Sequence, residues 1–145
     1  MHLRRAEPAD GDAVAELFVA ARRTMTYLPP LDVEGASAFI RERVVGELET
    51  WVAEDDRGAI LGFATVNEGD LDHLYVAPAA QGRGVGASLL EHVKSLRPDG
   101  FEFWVFQRNE GARRFYERHG CTLLRLTDGA QNMEREPDAR YAWSS

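Results

Sequence analysis

The chain has 145 residues, a hydrophobic fraction of 44% and a formal net charge of -7. This is a common size for one domain with a real core, and its acidity excludes the basic footprint that sequence-independent nucleic-acid binding needs. No apolar run approaches the ~20 residues of a membrane span, the stretch from Met1 to Glu7 lacks the apolar segment of a signal peptide, and the single cysteine, Cys121, excludes an internal disulfide framework. The expectation is one cytoplasmic domain over residues 1–145, with no nucleic-acid or membrane partner. The oligomeric state stays open, a homodimer included.

In chain order, Met1 to Ala6 reads as a short strand, and Pro8-Ala9-Asp10 as a helix start with Asp10 at the N-cap. Val14, Leu17, Phe18 and Ala21 follow at helical spacing. Thr24 to Pro30 is irregular, since Pro29-Pro30 cannot continue a helix. A second helix is expected over Val33 to Val45, with Phe39, Ile40 and Val44 inward. Three strand-like runs come next: Trp51 to Glu54, Ala59 to Val66 and Asp70 to Val76. They are separated by the turn signals Asp55-Asp56-Arg57-Gly58 and Asn67-Glu68-Gly69, so an antiparallel meander is expected.

The pattern then changes. Gln81 to Gly86 is glycine-rich, Ala87 to Leu96 is helical, and Phe101 to Phe106 is a dense aromatic strand. A strand, a helix and a strand in succession imply a parallel pair. A further helix covers Asn109 to His119, with Gly120 suited to end it. Cys121 to Leu126 reads as a strand, and Tyr141 to Trp143 as a last short one.

Glycines let backbone amides approach a ligand, and a helix N-terminus adds unpaired donors and partial positive charge. The run Gln81-Gly82-Arg83-Gly84-Val85-Gly86-Ala87-Ser88 therefore suits a pyrophosphate. A P-loop would need Gly-Lys-Ser/Thr, yet the only lysine, Lys94, lies two turns into the helix. A dinucleotide fingerprint would need a third glycine where Ala87 stands.

The loop instead resembles the cofactor loop of the GNAT N-acetyltransferase superfamily, Gln/Arg-x-x-Gly-x-Gly/Ala, through Gln81, Gly84 and Gly86. A second signature of that family follows at the expected distance: Asn109, Ala112, Phe115-Tyr116-Glu117 and Gly120. The resemblance runs from about Leu3 to Leu126. It implies an α/β mixed sheet with an antiparallel N-terminal meander. A parallel strand pair would splay around the cofactor, with helices on both faces. It also implies acetyl-CoA (coenzyme A) as cofactor and direct transfer to a primary amine through a ternary complex.

By the same resemblance, Leu74, Tyr75 and Val76 would line the pantetheine arm. Gln81, Gly82, Arg83, Gly84, Val85, Gly86, Ala87 and Ser88 would take the pyrophosphate, and Asn109 would bond the arm or cap its helix. Tyr116 would be the general acid, because a phenol of pKa ~10 stays protonated at neutral pH and can protonate a thiolate whose acid has a pKa of ~8.5. An alkyl ammonium of pKa ~10 also needs a base. Period-two alternation puts Asp70 and Asp72 on one strand face with Leu74 and Val76, and Leu71, His73 and Tyr75 on the other. Asp70 and Asp72 are the leading base candidates, with Glu68 and His73 behind them. Met25, Tyr27, Leu28 and Phe39, together with the Thr127–Asp138 loop, are candidates for the acceptor pocket, with core packing the favoured role for Phe39.

Cys121 reads as a small core residue rather than a nucleophile, and the four histidines show no metal-ligand spacing. The expected acceptor is a small-molecule amine. A protein N-terminus or lysine is the alternative, and a noncatalytic acyl-CoA-binding module is the rival of another class.

Overall fold

A computed structural model describes residues 1–145. In chain order the elements are β1 (His2–Arg5), α1 (Gly11–Arg23), α2 (Val33–Phe39), β2 (Glu49–Glu54), β3 (Ile60–Asn67), β4 (Asp70–Val76), α3 (Val85–Leu96), β5 (Phe101–Phe106), α4 (Glu110–Arg118), β6 (Thr122–Leu126) and β7 (Asp138–Trp143). The seven strands form one sheet in the order β1-β2-β3-β4-β5-β7-β6. Only β4 and β5 run parallel; every other neighbouring pair is antiparallel. The expected mixed α/β sheet, meander plus parallel pair, is therefore present. β7 inserts between β5 and β6, which leaves β6 as the outer edge.

Local chemistry explains most boundaries. Asp32 caps α2 by accepting from Gly35 N–H at 3.1 Å. The helix continues as a π-helical turn over Ile40–Val45, so the segment expected to be one helix is wound two ways. Asp55 closes the β2–β3 turn by accepting from the amides of Arg57 at 2.9 Å and Ala59 at 3.0 Å. Asp10 does not cap α1 with its side chain. Its carboxylate instead accepts from Glu7 N–H and takes both terminal nitrogens of Arg4, at 2.8 and 2.9 Å. α3 begins at Val85, two residues before the expected Ala87, and β7 runs from Asp138 rather than Tyr141.

Side chains alternate across the strands, so the sheet has an apolar layer on each face. On one face Ala53, Ala64, Phe101, Phe103, Ala139 and Tyr141 meet Val85, Leu89, Leu90 and Val93 of α3 and Tyr116 of α4. On the other, Val52 and Phe63 meet Val14, Ala15 and Leu17 of α1 and Ile40, Val44 and Val45. Leu89 and Leu90 are fully buried, and truncating either to Ala would cost about 2–5 kcal/mol. Phe39 lies outside this core, 48% exposed, against the expectation that it points inward. Lys94 serves the fold: its ammonium reaches His119 O at 2.7 Å and Glu91 at 3.1 Å.

Candidate active site

The site begins where the sheet stops being a sheet. β4 and β5 pair only at Asp70 and Glu102, and Glu102 N–H donates to Gly69 O at 3.0 Å. Beyond that point the strands diverge. The divergence coincides with a bulge: Thr65 opposes His73, but Val66 opposes Leu71, so Asp72 is the extra residue. The bulge also corrects the alternation inferred from sequence. Leu71 joins Leu74 and Val76 on the α3 face rather than lying opposite them, while Tyr75 packs toward α1.

Ala77 N–H donates to Leu61 O at 2.8 Å. Antiparallel bonding repeats every second residue, so the amides of Tyr75 and His73 face β3. Those of Leu74 and Val76 face the gap and are free for a ligand. The gap opens into a cleft of about 1400 Å³ that reaches from the glycine loop to the α1–α2 loop. Since α3 and α1 lie on opposite faces of the sheet, the cleft passes through it.

At one end of the cleft the chain turns through Gly82 (φ 80°) and Gly84 (φ 81°), both in the left-handed region. A Cβ on either would meet nothing within 4 Å, so the backbone conformation, not crowding, calls for glycine there. Gly86 differs: a Cβ would sit 3.5 Å from Phe115 and 3.6 Å from Val76 in ordinary contact. Ser88 N–H, bonded to Gly84 O at 3.0 Å, begins the α3 ladder. The amides of Val85, Gly86 and Ala87 therefore lack helical partners and suit an anion. Gln81, Gly82, Gly84, Val85, Gly86 and Ala87 all line the cleft. Arg83 and Ser88 do not line it; the Arg83 guanidinium donates to Ala79 O at 3.1 Å.

On the facing wall, the Asn109 side chain caps α4 by accepting from Ala112 N–H at 3.2 Å, and it also lines the cleft. Tyr116 is buried at 7% exposure with its ring 4.4 Å from that of Phe103. Burial, with Tyr75 and Cys121 adding to it, holds its phenol above the usual range. A tyrosine so placed keeps its proton at neutral pH. Cys121 is buried, and burial pushes its thiol up to about 11, which suits a core residue and not a nucleophile. Arg114, Phe115 and Arg118 of α4 also line the cleft. Phe115 belongs to the second signature but carries no site role in the sequence reading, and Arg114 and Arg118 escaped it, although their i and i+4 spacing on a helix already tied to the site was readable.

The acidic candidates separate. Asp70 is not on the cleft wall: its carboxylate takes Arg140 Nη2 at 2.9 Å, and Arg140 Nε holds Glu102 at 3.0 Å. Asp72 is on the wall, where surrounding protein raises its carboxyl above the ordinary range against a 3.3 Å hydrogen bond from Asn67. His73 also lines the cleft, ringed by Phe18, Phe39, Phe63 and Tyr75, and burial lowers its imidazole to about 4. Glu68 sits in the β3–β4 turn, off the cleft, with φ 55°.

Of the acceptor candidates, Met25 and Tyr27 line the far arm of the cleft. Leu28 is 8% exposed and off the wall, a packing residue rather than a contact. Phe106 and Arg108 pack against the Tyr27 ring, and Trp104 of β5, Thr127, Gln131, Asn132 and Glu134 of the β6–β7 loop, and Asp138 at the start of β7 complete this part of the lining. The cleft thus joins a glycine turn with free helix-end amides, two strand amides that face away from β3, a protonated phenol and the carboxyl side chains of Asp72, Glu110, Glu134 and Asp138 in one channel.

A family model described as an acetyltransferase (GNAT) domain matches residues 46–120. The peptidyl-lysine N-acetyltransferase YjaB of Salmonella typhimurium is 34% identical over 123 residues, covering 83% of this chain and 82% of that protein. The peptidyl-lysine N-acetyltransferase YiaC of Escherichia coli is 35% identical over 87 residues, covering 59% of this chain and only 58% of that relative. Among solved structures, YncA of Salmonella typhimurium with its cofactor acetyl-CoA superposes with a TM-score of 0.71 at 21% identity, covering 98% of this chain and 91% of that one. The chain belongs to the GNAT superfamily, and it is an N-acetyltransferase that uses acetyl-CoA.

Proposed function

We propose that residues 1–145 form one acyltransferase domain that moves an acetyl group directly to an aliphatic primary amine, and that this amine is a lysine side chain of a polypeptide. The observation that carries the reading is the continuous cleft from Gly82–Gly86 to Thr24–Tyr27, with Tyr116 on its wall. An extended acceptor such as a lysine side chain can enter from the α1–α2 end and meet the acyl group inside. The names of the YjaB and YiaC relatives favour lysine over the small-molecule amine expected from sequence.

Acetyl-CoA supplies the thioester to be cleaved. The amides of Val85, Gly86 and Ala87 hold its pyrophosphate, and the free amides of Leu74 and Val76 bond the arm and polarise the acyl carbonyl. Tyr116 donates its phenolic proton toward the departing sulfur, whose acid has a pKa of ~8.5. Asp72, through water, takes a proton from the incoming ammonium, and its raised pKa makes it a better base than an ordinary aspartate.

Thiol release from acetyl-CoA, measured against lysine peptides, peptides with a free N-terminus and small amines, tests the reading. Turnover with lysine peptides, and a mass gain of one acetyl on the side chain, is the expected result. Turnover confined to small amines would return the acceptor to the small-molecule class.

A further inference from the structure

The β6–β7 loop is built more firmly than a connecting segment needs. The Asn132 amide donates to Glu136 O at 2.7 Å and to Asp138 Oδ2 at 3.1 Å, and its oxygen accepts from Glu136 N–H at 3.2 Å. The Thr127 hydroxyl bonds Asp138, and Gly129 N–H donates back to it at 3.1 Å. Gln107 bridges Thr127 O at 2.8 Å and Asp138 O at 3.0 Å. Arg135 is nonetheless held at φ 55°, in the left-handed region that a residue with a side chain disfavours.

This frame fixes the residue before Arg135. Glu134 lines the cleft from the loop side. Arg108, which lines the same cleft, is engaged elsewhere: its Nε lies 3.0 Å from Glu136 and its guanidinium covers the Tyr27 ring at 5.8 Å. No cationic side chain of the protein pairs with Glu134. Its charge still reaches the cleft: the Tyr75 phenol is pushed up to about 12, first by burial and then by Glu134. The α1–α2 loop brings a second unmet group to the cleft. The Tyr27 hydroxyl is buried with no hydrogen-bond partner, and burial of an unpaired hydroxyl is costly. Arg22 pins the loop that carries Tyr27 by donating to Pro29 O at 2.9 Å.

We propose that Glu134 is the specificity-determining residue for the acceptor: its carboxylate receives the ammonium of the incoming lysine, and the Tyr27 hydroxyl accepts from the same ammonium. The Glu134 carboxylate and the Tyr27 hydroxyl are both without a partner on the acceptor side of the cleft, and a primary ammonium, with three donors and one positive charge, suits both. Three other carboxyl side chains line the cleft: Asn67 occupies one oxygen of Asp72, Thr127 and Asn132 bond Asp138, and Glu110 lies in the first turn of α4, beside Asn109, rather than on the acceptor loops. Glu134 captures the cation and Asp72 acts after capture. This assignment rests on the lysine-acetyltransferase reading above.

The test is steady-state kinetics of Glu134→Gln, Glu134→Asp and Tyr27→Phe with a lysine peptide, and with an O-alkylhydroxylamine, which is uncharged at neutral pH. In Glu134→Gln the lysine-peptide KM is expected to rise about 10-fold or more, with kcat and acetyl-CoA affinity within about 2-fold. Glu134→Asp should recover part of the loss, Tyr27→Phe should show a smaller rise, and the KM of the neutral acceptor should not move. Unchanged acetyl-CoA affinity by calorimetry verifies that each variant is folded. An unchanged lysine-peptide KM in Glu134→Gln overturns the proposal, as does an equal loss for the charged and neutral acceptors. Either leaves the lysine-acetyltransferase reading standing, whereas a wild-type protein inactive on every lysine peptide strikes both.

Discussion

Arg140 Nη2 stands 2.9 Å from Asp70 Oδ1, across the seam where β4 and β5 make their only pairing. The same guanidinium holds Glu102, the partner of Asp70 in that pairing, at 3.0 Å. The arginine therefore clips together the closed end of a strand pair whose other end opens into the cleft. Asp70 is committed to architecture, and the proton-handling role falls to Asp72, which the bulge turns toward the wall.

That division gives opposite phenotypes for two neighbouring substitutions. Asp70→Asn should cost at most about 1 kcal/mol in urea denaturation, since its side chain is 42% exposed, and should leave kcat nearly unchanged. Asp72→Asn should lower kcat and remove the acidic limb of its pH profile. Its effect on stability has the other sign. A carboxyl with a raised folded-state pKa makes folding less favourable as pH rises from the unfolded value of ~3.9 through the folded one. Asp72→Asn should therefore be at least as stable as wild type at neutral pH.

The glycine loop should respond by position. Gly84→Ala forces a side chain into φ 81°, at a cost of about 1–2 kcal/mol, and should weaken coenzyme A binding measured by calorimetry. Gly86→Ala places its Cβ in ordinary contact with Phe115 and Val76 and should bind nearly as the wild type does. Equal losses in the two variants would mean that bulk, not backbone conformation, governs the loop.

His73 should make stability pH-dependent in a defined window. Its imidazole is lowered to about 4 by burial, whereas the unfolded chain protonates it near ~6.5. Between these values the unfolded state holds the extra proton, so stability falls as pH drops from about 6.5 to 4, by at most about 1.4 kcal/mol per pH unit. Chemical denaturation of His73→Phe across that range should show a correspondingly shallower slope.

The sequence made the frame legible because its signals are local. Glycine spacing at 82, 84 and 86, helical periodicity before and after it, and the Asn109-to-Gly120 signature led to the right family and sheet. What escaped depends on contacts between distant segments. A bulge at Asp72 has no sequence mark, yet it shifts the strand phase and moves Leu71 to the other face. Asp70 looks like a free acid until Arg140, 70 residues on, meets it. Leu28 adjoins Tyr27 in sequence, but its side chain turns into the packing. Glu134 lies in a polar loop with no periodicity, and only the hydrogen-bonded frame around Asn132 brings it to the cleft.

The most direct test of the account is one assay run on two proteins, wild type and Tyr116→Phe, with acetyl-CoA and a lysine peptide. Released thiol and the mass of the peptide are measured together. In wild type the peptide should gain one acetyl for each thiol released. Tyr116→Phe should bind acetyl-CoA normally but turn over about 100-fold more slowly, because the ring remains and only the proton donor is lost. Thiol release that does not depend on the amine, or equal rates in the two proteins, would contradict direct acetyl transfer assisted by Tyr116.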